Sequence, residues 1–587
     1  MRHGSLMIVF AGALALTGCT HPLHRRWQQE VQERLAETAR SYREAVTETG
    51  PVTITRTEGL SDEHLTEQHR RDMARRLEEV DQWSSPKAMR EQRKLQLGAD
   101  LYGRTDADDI VMLTLQQAIQ IAVQRNLTVQ LARLAPAVTE AELTQSEAVF
   151  DAIFFFSADH QKLDTPRPPS ASLTTFSSVR SETTTLTTGI RKVMTSGGEL
   201  TVQTSMGRQD DVPSFFVNNT YYQGDISLTI NQPLLRNFGA DVTRAQIELS
   251  ENARRRAVED LRRTLIEVCF ATEQAYWALV LSRQLVLIQS DLLERTLEDR
   301  ETLGKRLVHD VLPSTYSDAN ARAHTQQAEL IRAKQQVRVT ADALKRLINS
   351  TKLPVTSETM IVPVDDPVDM PLTYDALDSI TTALQRRPGV QQALLQINDA
   401  TIRQRVADNA RLPQLNTSAQ IRYAGVRNTH SDAYDAVTDG DFIEYLLTAQ
   451  FEMPIGNRGP EAAYQQAILE RQFAVASYQD VAQRTVLEVK DALREVMTTY
   501  ELIGARRAAR LAAAENVRQI QAQMDADVPL TAEFINVKLQ RQESLAIAQA
   551  DEMRALTDYN NAVARLYQAM GTLMERNGIE FTDMPVD

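Results

Sequence analysis

Apolar and polar positions along this chain follow one order, and follow it twice. From Leu113 to Phe150 apolar residues recur at helical spacing, from there to Pro233 they alternate with polar ones, and beyond Gly239 helical spacing returns. The order restarts about 260 residues later, helical from Leu372 to Pro413, alternating to Met453 and helical again from Gly459. Leu113-Thr114-Leu115 with Arg125-Asn126 and Val129 answers Leu372-Thr373-Tyr374 with Arg387-Pro388 and Val390. The strand exits correspond as well, Gln232-Pro233-Leu234 with Gly239 in one copy and Glu452-Met453-Pro454 with Gly456 and Gly459 in the other. Two copies of one unit are predicted.

Within each copy the helical lengths balance. Gly239 to Asp310 predicts a helix of about 70 residues, or about 105 Å at 1.5 Å per residue. The return arm from Pro313 to Asn349 is half as long, and the opening helix from Leu113 to Val149 supplies the other half. Gly459 to Ala526 is matched in the same way by Tyr374 to Arg411 and Thr531 to Met574. Pro136 lies inside the first opening helix, where a kink is expected.

Period-two alternation predicts strands through Leu186, Thr188 and Ile190, through Leu200, Val202, Thr204 and Met206 after the Gly197-Gly198 turn, and through Ile226, Leu228 and Ile230. The second copy offers Ala419, Ile421 and Tyr423, then Tyr445, Leu447, Ala449, Phe451 and Met453. About four strands fall in copy one and two in copy two. Asp164 to Ser172 and Asn428 to Asp441, rich in polar residues, read as exposed loops.

Composition narrows the function. Lys and Arg number 64 against 78 Asp and Glu, a net charge of −14, and no basic stripe suits a phosphate backbone, so nucleic acid is not the expected partner. Residues 1–18 read as a signal peptide, with Arg2 and His3 ahead of an apolar core too short to span a bilayer. The ending Leu16-Thr17-Gly18-Cys19 resembles a bacterial lipobox, which makes Cys19 the expected lipidation site. Cys269 is then the only other cysteine, and no intrachain disulfide framework is possible. No further segment approaches 18 consecutive apolar residues, so no transmembrane helix is expected.

Residues 19–110 stand outside the repeats, as a lipidated extension, helical or partly disordered. Trp27, Val31, Leu35 and Ala39 form one stripe at helical spacing, and two readings stay open, a solvated extension or a collar packed on the main body. The repeats are bounded at 111–350 and 372–575, with a linker at 351–371 and a tail at 576–587.

Six amphipathic strands cannot close a barrel alone, and an open edge in lipid costs several kcal/mol per unpaired backbone group. Together with the repeat openings, the turns Gln232-Pro233-Leu234-Leu235 and Met453-Pro454-Ile455-Gly456, the stretch Tyr276-Trp277-Ala278-Leu279, and Tyr559-Asn560 with Gly571-Thr572-Leu573, the chain resembles the TolC-type outer membrane factors over about Leu113 to Met574. The resemblance implies a mainly α fold with a β portion, in which very long coiled helices form a periplasmic α-barrel continuous with an outer membrane β-barrel completed by trimerisation. It further implies a passive exit duct for efflux or type I secretion, working with a periplasmic adaptor and an inner membrane transporter. Relatives contribute four strands per subunit; six here would make eighteen. An exported coiled-coil scaffold or adaptor without a pore stays open as the alternative.

By the same resemblance, partner-docking tips are expected at Val311, Leu312 and Pro313 and at Val528, Pro529 and Leu530, and acidic gate positions at Glu533, Asp525 and Asp527. Three copies of one carboxylate around an axis favour cations. No catalytic residue, cofactor or metal is expected: the nine His are scattered, His64 and His69 do not share a helix face, and nucleotide-binding and hydrolase motifs are lacking.

Overall fold

The computed structural model describes residues 52–54, 66–92, 110–166, 178–212, 220–307, 312–440, 442–525 and 531–581. Among them, one compact unit holds 136–257 and 393–478, and a second holds the remainder. In chain order the elements are β1 (Val52–Thr53), α1 (Glu67–Ser84), α2 (Pro86–Gln92), β2 (Ile110–Leu113), α3 (Leu115–Arg125) and α4 (Leu127–Glu147). Next come β3 (Ile153–Pro166), β4 (Ser178–Val193), β5 (Glu199–Val212), β6 (Thr220–Pro233), α5 (Ala240–Thr243), α6 (Ala245–Arg306) and α7 (Pro313–Ile348). The linker carries β7 (Met360–Pro363), and the second repeat supplies β8 (Thr373–Tyr374), α8 (Ala376–Arg386), α9 (Pro388–Ala410) and β9 (Gln414–Arg427). The chain ends with α10 (His430–Asp439), β10 (Phe442–Glu452), α11 (Arg458–Asp525), α12 (Ala532–Met570) and α13 (Leu573–Arg576).

The predicted long helices are present, 62 residues in α6 and 68 in α11. The opening helix differs from expectation: it breaks at Asn126, ten residues ahead of Pro136, and α4 continues through the proline. Asn126 leaves the helical region at ψ 130°, and its Oδ1 accepts from the Thr128 and Val129 amides, so one side chain ends α3 and caps α4. The second repeat breaks at the matching place by other means. Arg387 precedes Pro388, whose ring disfavours a helical conformation at the residue before it, and Pro388 then starts α9.

In the second unit the quoted sequence motifs anchor the linkers. Tyr276 is fully buried, its hydroxyl 2.8 Å from Asp365 Oδ2 and 3.1 Å from the Leu113 carbonyl, while it accepts from the Val364 and Asp365 amides. That pins the parallel β2–β7 pair. Tyr559 donates to the Met370 carbonyl, and Asn560 makes a two-way amide bond with Val368. Leu279, Ile361, Ile380, Leu384, Val489 and Met553 pack between these anchors in one apolar core.

The amino-terminal region packs on the same unit. β1 pairs antiparallel with β8. Val80 is buried against Ala514, Val517 and Leu545, and Met89 against Ile288, Leu292 and Ala546. Arg510, fully buried, donates to Glu552, to Asp81 and to Ser84 Oγ at 2.5 Å, while Gln549 reaches the Ser84 carbonyl at 3.0 Å. The Trp27–Ala39 stripe lies outside the described residues.

Candidate channel-forming sheet

Six strands form one antiparallel sheet in the order β10-β9-β6-β5-β4-β3, which resolves the choice between four and six in favour of six. Strict alternation over strands of up to 16 residues gives the sheet two chemically distinct faces. Register carries one apolar row across every strand: Phe154 opposes Ile190, then follow Val202, Leu228, Ile421 and Tyr445. The next row on that face reads Phe156, Thr188, Thr204, Ile226, Tyr423 and Ile443. The opposite face between them reads Phe155, Gly189, Gln203, Ser227, Arg422 and Glu444.

Burial is inverted relative to a water-soluble sheet. Ile190 is 51 % exposed, Val202 45 % and Tyr445 72 %, whereas Ser227 is 1 % exposed and Asp225 8 %. Across β4, β5, β6 and β9 the polar face is therefore the sheltered one, and the apolar face is turned out. A sheet packing a core in water does the reverse. On the sheltered face Arg422 lies 3.5 Å from Asp225 and 3.4 Å from Glu444, and Ser205 Oγ donates to Asp225. These polar residues were readable from parity, because each sits one position from an apolar-row residue: Arg422 follows Ile421 and Glu444 precedes Tyr445.

Toward the β3–β4 and β5–β6 connections the outward face turns charged, with Arg180 3.3 Å from Asp164, Lys162 3.7 Å from Glu182 and Arg208 3.0 Å from Asp210. There the expected loop from Asn428 to Asp441 is corrected: most of it is α10. Thr429 caps it and Gly440 closes it in the left-handed conformation. Ala433, Ala436 and Val437 are buried, at helical spacing that the polar composition of the segment concealed. The helix lies on Gly224 and Gly425, which oppose each other in the ladder; a Cβ on Gly425 would stand 2.3 Å from the Ala433 carbonyl oxygen. The reading of Asp164 to Ser172 as loop also shifts, since β3 continues to Pro166.

The sheet's outer strands, β3 and β10, each have one unpaired side among the described strands. Both are exposed over almost their whole length.

At the helix reversals, Glu533 is exposed in the first turn of α12, behind a Thr531 cap. Asp525 is the last residue of α11. Leu312, 64 % exposed, precedes α7 with no side-chain capping bond, and Pro313 is the helix's first residue. Val311, Asp527, Val528, Pro529, Leu530 and Cys19 lie outside the described residues. Among the described residues no group of His, Cys, Asp or Glu is arranged to hold a metal, and no helix is long and apolar enough to cross a membrane.

Residues 379–572 match the outer membrane efflux protein family. No curated protein sequence matches the chain. Among solved structures, the CmeC outer membrane channel of Campylobacter jejuni is similar at 16% identity and a TM-score of 0.55, covering 78% of this chain and 86% of that one. VceC of Vibrio cholerae is similar at 15% identity and 0.54, covering 78% and 96%. The open-state MtrE channel of Neisseria gonorrhoeae gives 15% and 0.53, covering 78% and 89%. At these identities the likeness speaks for the fold alone, long helices with one antiparallel sheet, and the family match is confined to the second repeat. The chain therefore has the fold of these outer membrane channels, and its second repeat matches the outer membrane efflux protein family.

Proposed function

We propose that three copies of this chain close their sheets, β10 of one against β3 of the next, into a single barrel of about eighteen strands that opens a passive exit duct through the outer membrane. The observation that carries this is the inverted sheet, apolar face out and polar face sheltered, ending in two unpaired edges. In lipid those edges must be paired, and a second and third copy supply the partners. A pore-free scaffold is disfavoured for the same reason, since its strands would bury their apolar rows.

In this reading residues 1–18 direct export, Cys19 is acylated, and the lipidated extension 19–110 leads into repeats at 111–350 and 372–575, joined by the linker 351–371 and followed by the tail 576–587. The duct reaches from the outer membrane into the periplasm. The reversals at Val311, Leu312 and Pro313 and at Val528, Pro529 and Leu530 meet a periplasmic adaptor and an inner membrane transporter, which supply the energy. Glu533, Asp525 and Asp527 set a cation-favouring gate. The task is conduction and uses no catalysis.

Single-channel conductance in planar bilayers, read beside the oligomeric mass in detergent, tests this. A trimer with cation-selective steps that grow when Glu533, Asp525 and Asp527 are changed to Ala is the expected result. A monomer, or a trimer that never conducts, overturns it.

A further inference from the structure

The two helices attached to the open edges of the sheet are each covered on one flank only. α4 runs into β3 and α11 runs out of β10, and the connections between helix and strand, 148–152 and 453–457, are equally long. Within the first unit α4 packs on α6, with Ser146 Oγ 2.8 Å from Ser250 Oγ and Glu140 3.2 Å from Arg254. α11 packs on α9 there, with Glu461 3.0 Å from Arg411 and Arg471 Nε donating to Thr401 Oγ1 at 3.2 Å.

Another face of each helix is open, and both carry the same pattern on it. Along α4, Leu127, Leu131, Leu134, Val138, Ala141 and Gln145 alternate steps of four and three residues, and every one is exposed. Ala462, Gln466, Leu469, Phe473 and Ala476 do the same along α11, again all exposed. Leu134 is 60 % exposed, Val138 57 %, Leu469 62 % and Phe473 77 %, so nothing in the chain lies over them. A stripe that keeps a mean spacing of about 3.5 residues is the seam one helix presents to another in a coiled coil.

Height and size agree. Counted from the sheet end of each helix at 1.5 Å per residue, Val138, Leu134 and Leu131 stand at about 14, 20 and 24 Å, and Leu469 and Phe473 at about 17 and 23 Å. Each of these α11 side chains thus falls between two of α4. Nearer the sheet both stripes become small or polar together, Ala141 and Gln145 on one helix and Ala462 and Gln466 on the other.

We propose that α4 of one copy and α11 of its neighbour form an antiparallel coiled coil, Leu469 seated between Val138 and Leu134, and Phe473 between Leu134 and Leu131. Continuity selects the occupant. Where β10 of one copy pairs with β3 of the next, the helices joined to those strands come side by side in opposite directions, and rotation about one axis preserves their heights. The contact is apolar and makes no demand on charge. The seam between copies then continues from the sheet onto the helices, and the two bare helix faces cover each other as the two bare edges do. The inference rests on the trimeric reading above.

The test uses the full-length protein in detergent, with Val138→Cys and Leu469→Cys in one chain and, separately, Ala141→Cys and Gln466→Cys, a pair that removes no large apolar side chain. Native mass is measured first, then disulfide formation under mild oxidation. Each double variant is expected to give a covalent ladder ending at trimer mass, and the two singles expressed together a mixed dimer. Single variants should give none, which controls for the chain's own Cys19 and Cys269. Val138→Cys with Leu487→Cys, about 27 Å further along α11 than Leu469, should also give none. Phe473→Asp should cut the yield of the Ala141–Gln466 pair at least fivefold. A trimer by native mass that cross-links through neither pair, only within one chain, equally well through Leu487, or undiminished by Phe473→Asp overturns the helix seam and leaves the trimer standing. Absence of the trimer from unmodified protein removes both.

Discussion

Replacing Arg510 with Ala should release the amino-terminal region from the helical body. The guanidinium is fully buried and joins four side chains: Glu552, itself 1 % exposed, Asp81, Ser84 and, through Glu552, Arg507 at 3.0 Å. Removing one member of a buried ion pair costs about 3–5 kcal/mol, because the partner charge stays behind. Arg507 remains on Glu552 and should hold the loss near the lower end. Val80 and Met89, the apolar side chains that α1 and α2 bury, contribute about 1.5–3 kcal/mol each before any ordering cost. The loss is thus comparable to what these two side chains contribute, with half-buried Trp83 adding to the hold, and release is expected rather than a local adjustment. At about 1.4 kcal/mol per tenfold, opening becomes roughly a hundredfold to a few thousandfold more frequent. Amide hydrogen exchange read by mass spectrometry over residues 67–92 measures this, with α11 and α12 away from the site as internal reference. Unchanged protection of 67–92 in Arg510→Ala would refute the assignment of Arg510 as the fastener. Changing Arg510 and Glu552 together to Met and Leu should recover much of the protection, since a well-packed apolar pair often equals a buried ionic one.

Three other outcomes are expected. Leu228→Arg, on the outward apolar row, should cost about 2–4 kcal/mol and sharply lower the amount of assembled protein in outer membranes, whereas Thr229→Arg, one position along on the sheltered face, should assemble normally and change only conductance. Gly425→Val puts a side chain where the Ala433 carbonyl oxygen already stands, so α10 should lift from the sheet and become cleavable by protease between residues 428 and 441. Glu273, 1 % exposed and 3.5 Å from Arg576, has its carboxyl pushed above the ordinary range, chiefly by burial, with Arg576 opposing. A raised folded-state value means the group's contribution is fully present below its unfolded value of about 4.5 and is lost as pH rises through the folded one. Wild type should therefore gain thermal stability relative to Glu273→Gln as pH falls from 8 toward 4.5, and an opposite or flat difference in melting curves counts against it.

The sequence read well where one period governs many residues. Strand parity and the long helices follow from repetition, so single errors average out, and the apolar row from Phe154 to Tyr445 is present as alternation in each strand. Reading failed where one residue decides. Pro136 drew attention as the site of a kink, while the break at Asn126 went unread: its amide serves as a cap on one side and reaches the Leu347 carbonyl on the other, 221 positions away. Helix α10 has only Ala433, Ala436 and Val437 to announce it, too few apolar residues to outweigh Asp432, Asp435 and Asp439. The Arg510 assembly joins residues more than 400 positions apart, and no local pattern encodes that. The gate and tip candidates came from resemblance, and of these only Glu533, Asp525, Leu312 and Pro313 lie in described structure.

The two bare edges of the sheet bear on the protein's life before assembly. A lone copy carries 14 residues of β3 and 11 of β10 as open templates beside an uncovered apolar face. Such a surface recruits any strand it meets, correct or not, and α10 lies over β6 and β9 rather than over either edge strand. In the trimeric reading proposed above, synthesis rate, local concentration and the time spent before assembly then decide how much material survives. In the trimer proposed above, dissociation is a route to loss rather than one arm of an equilibrium.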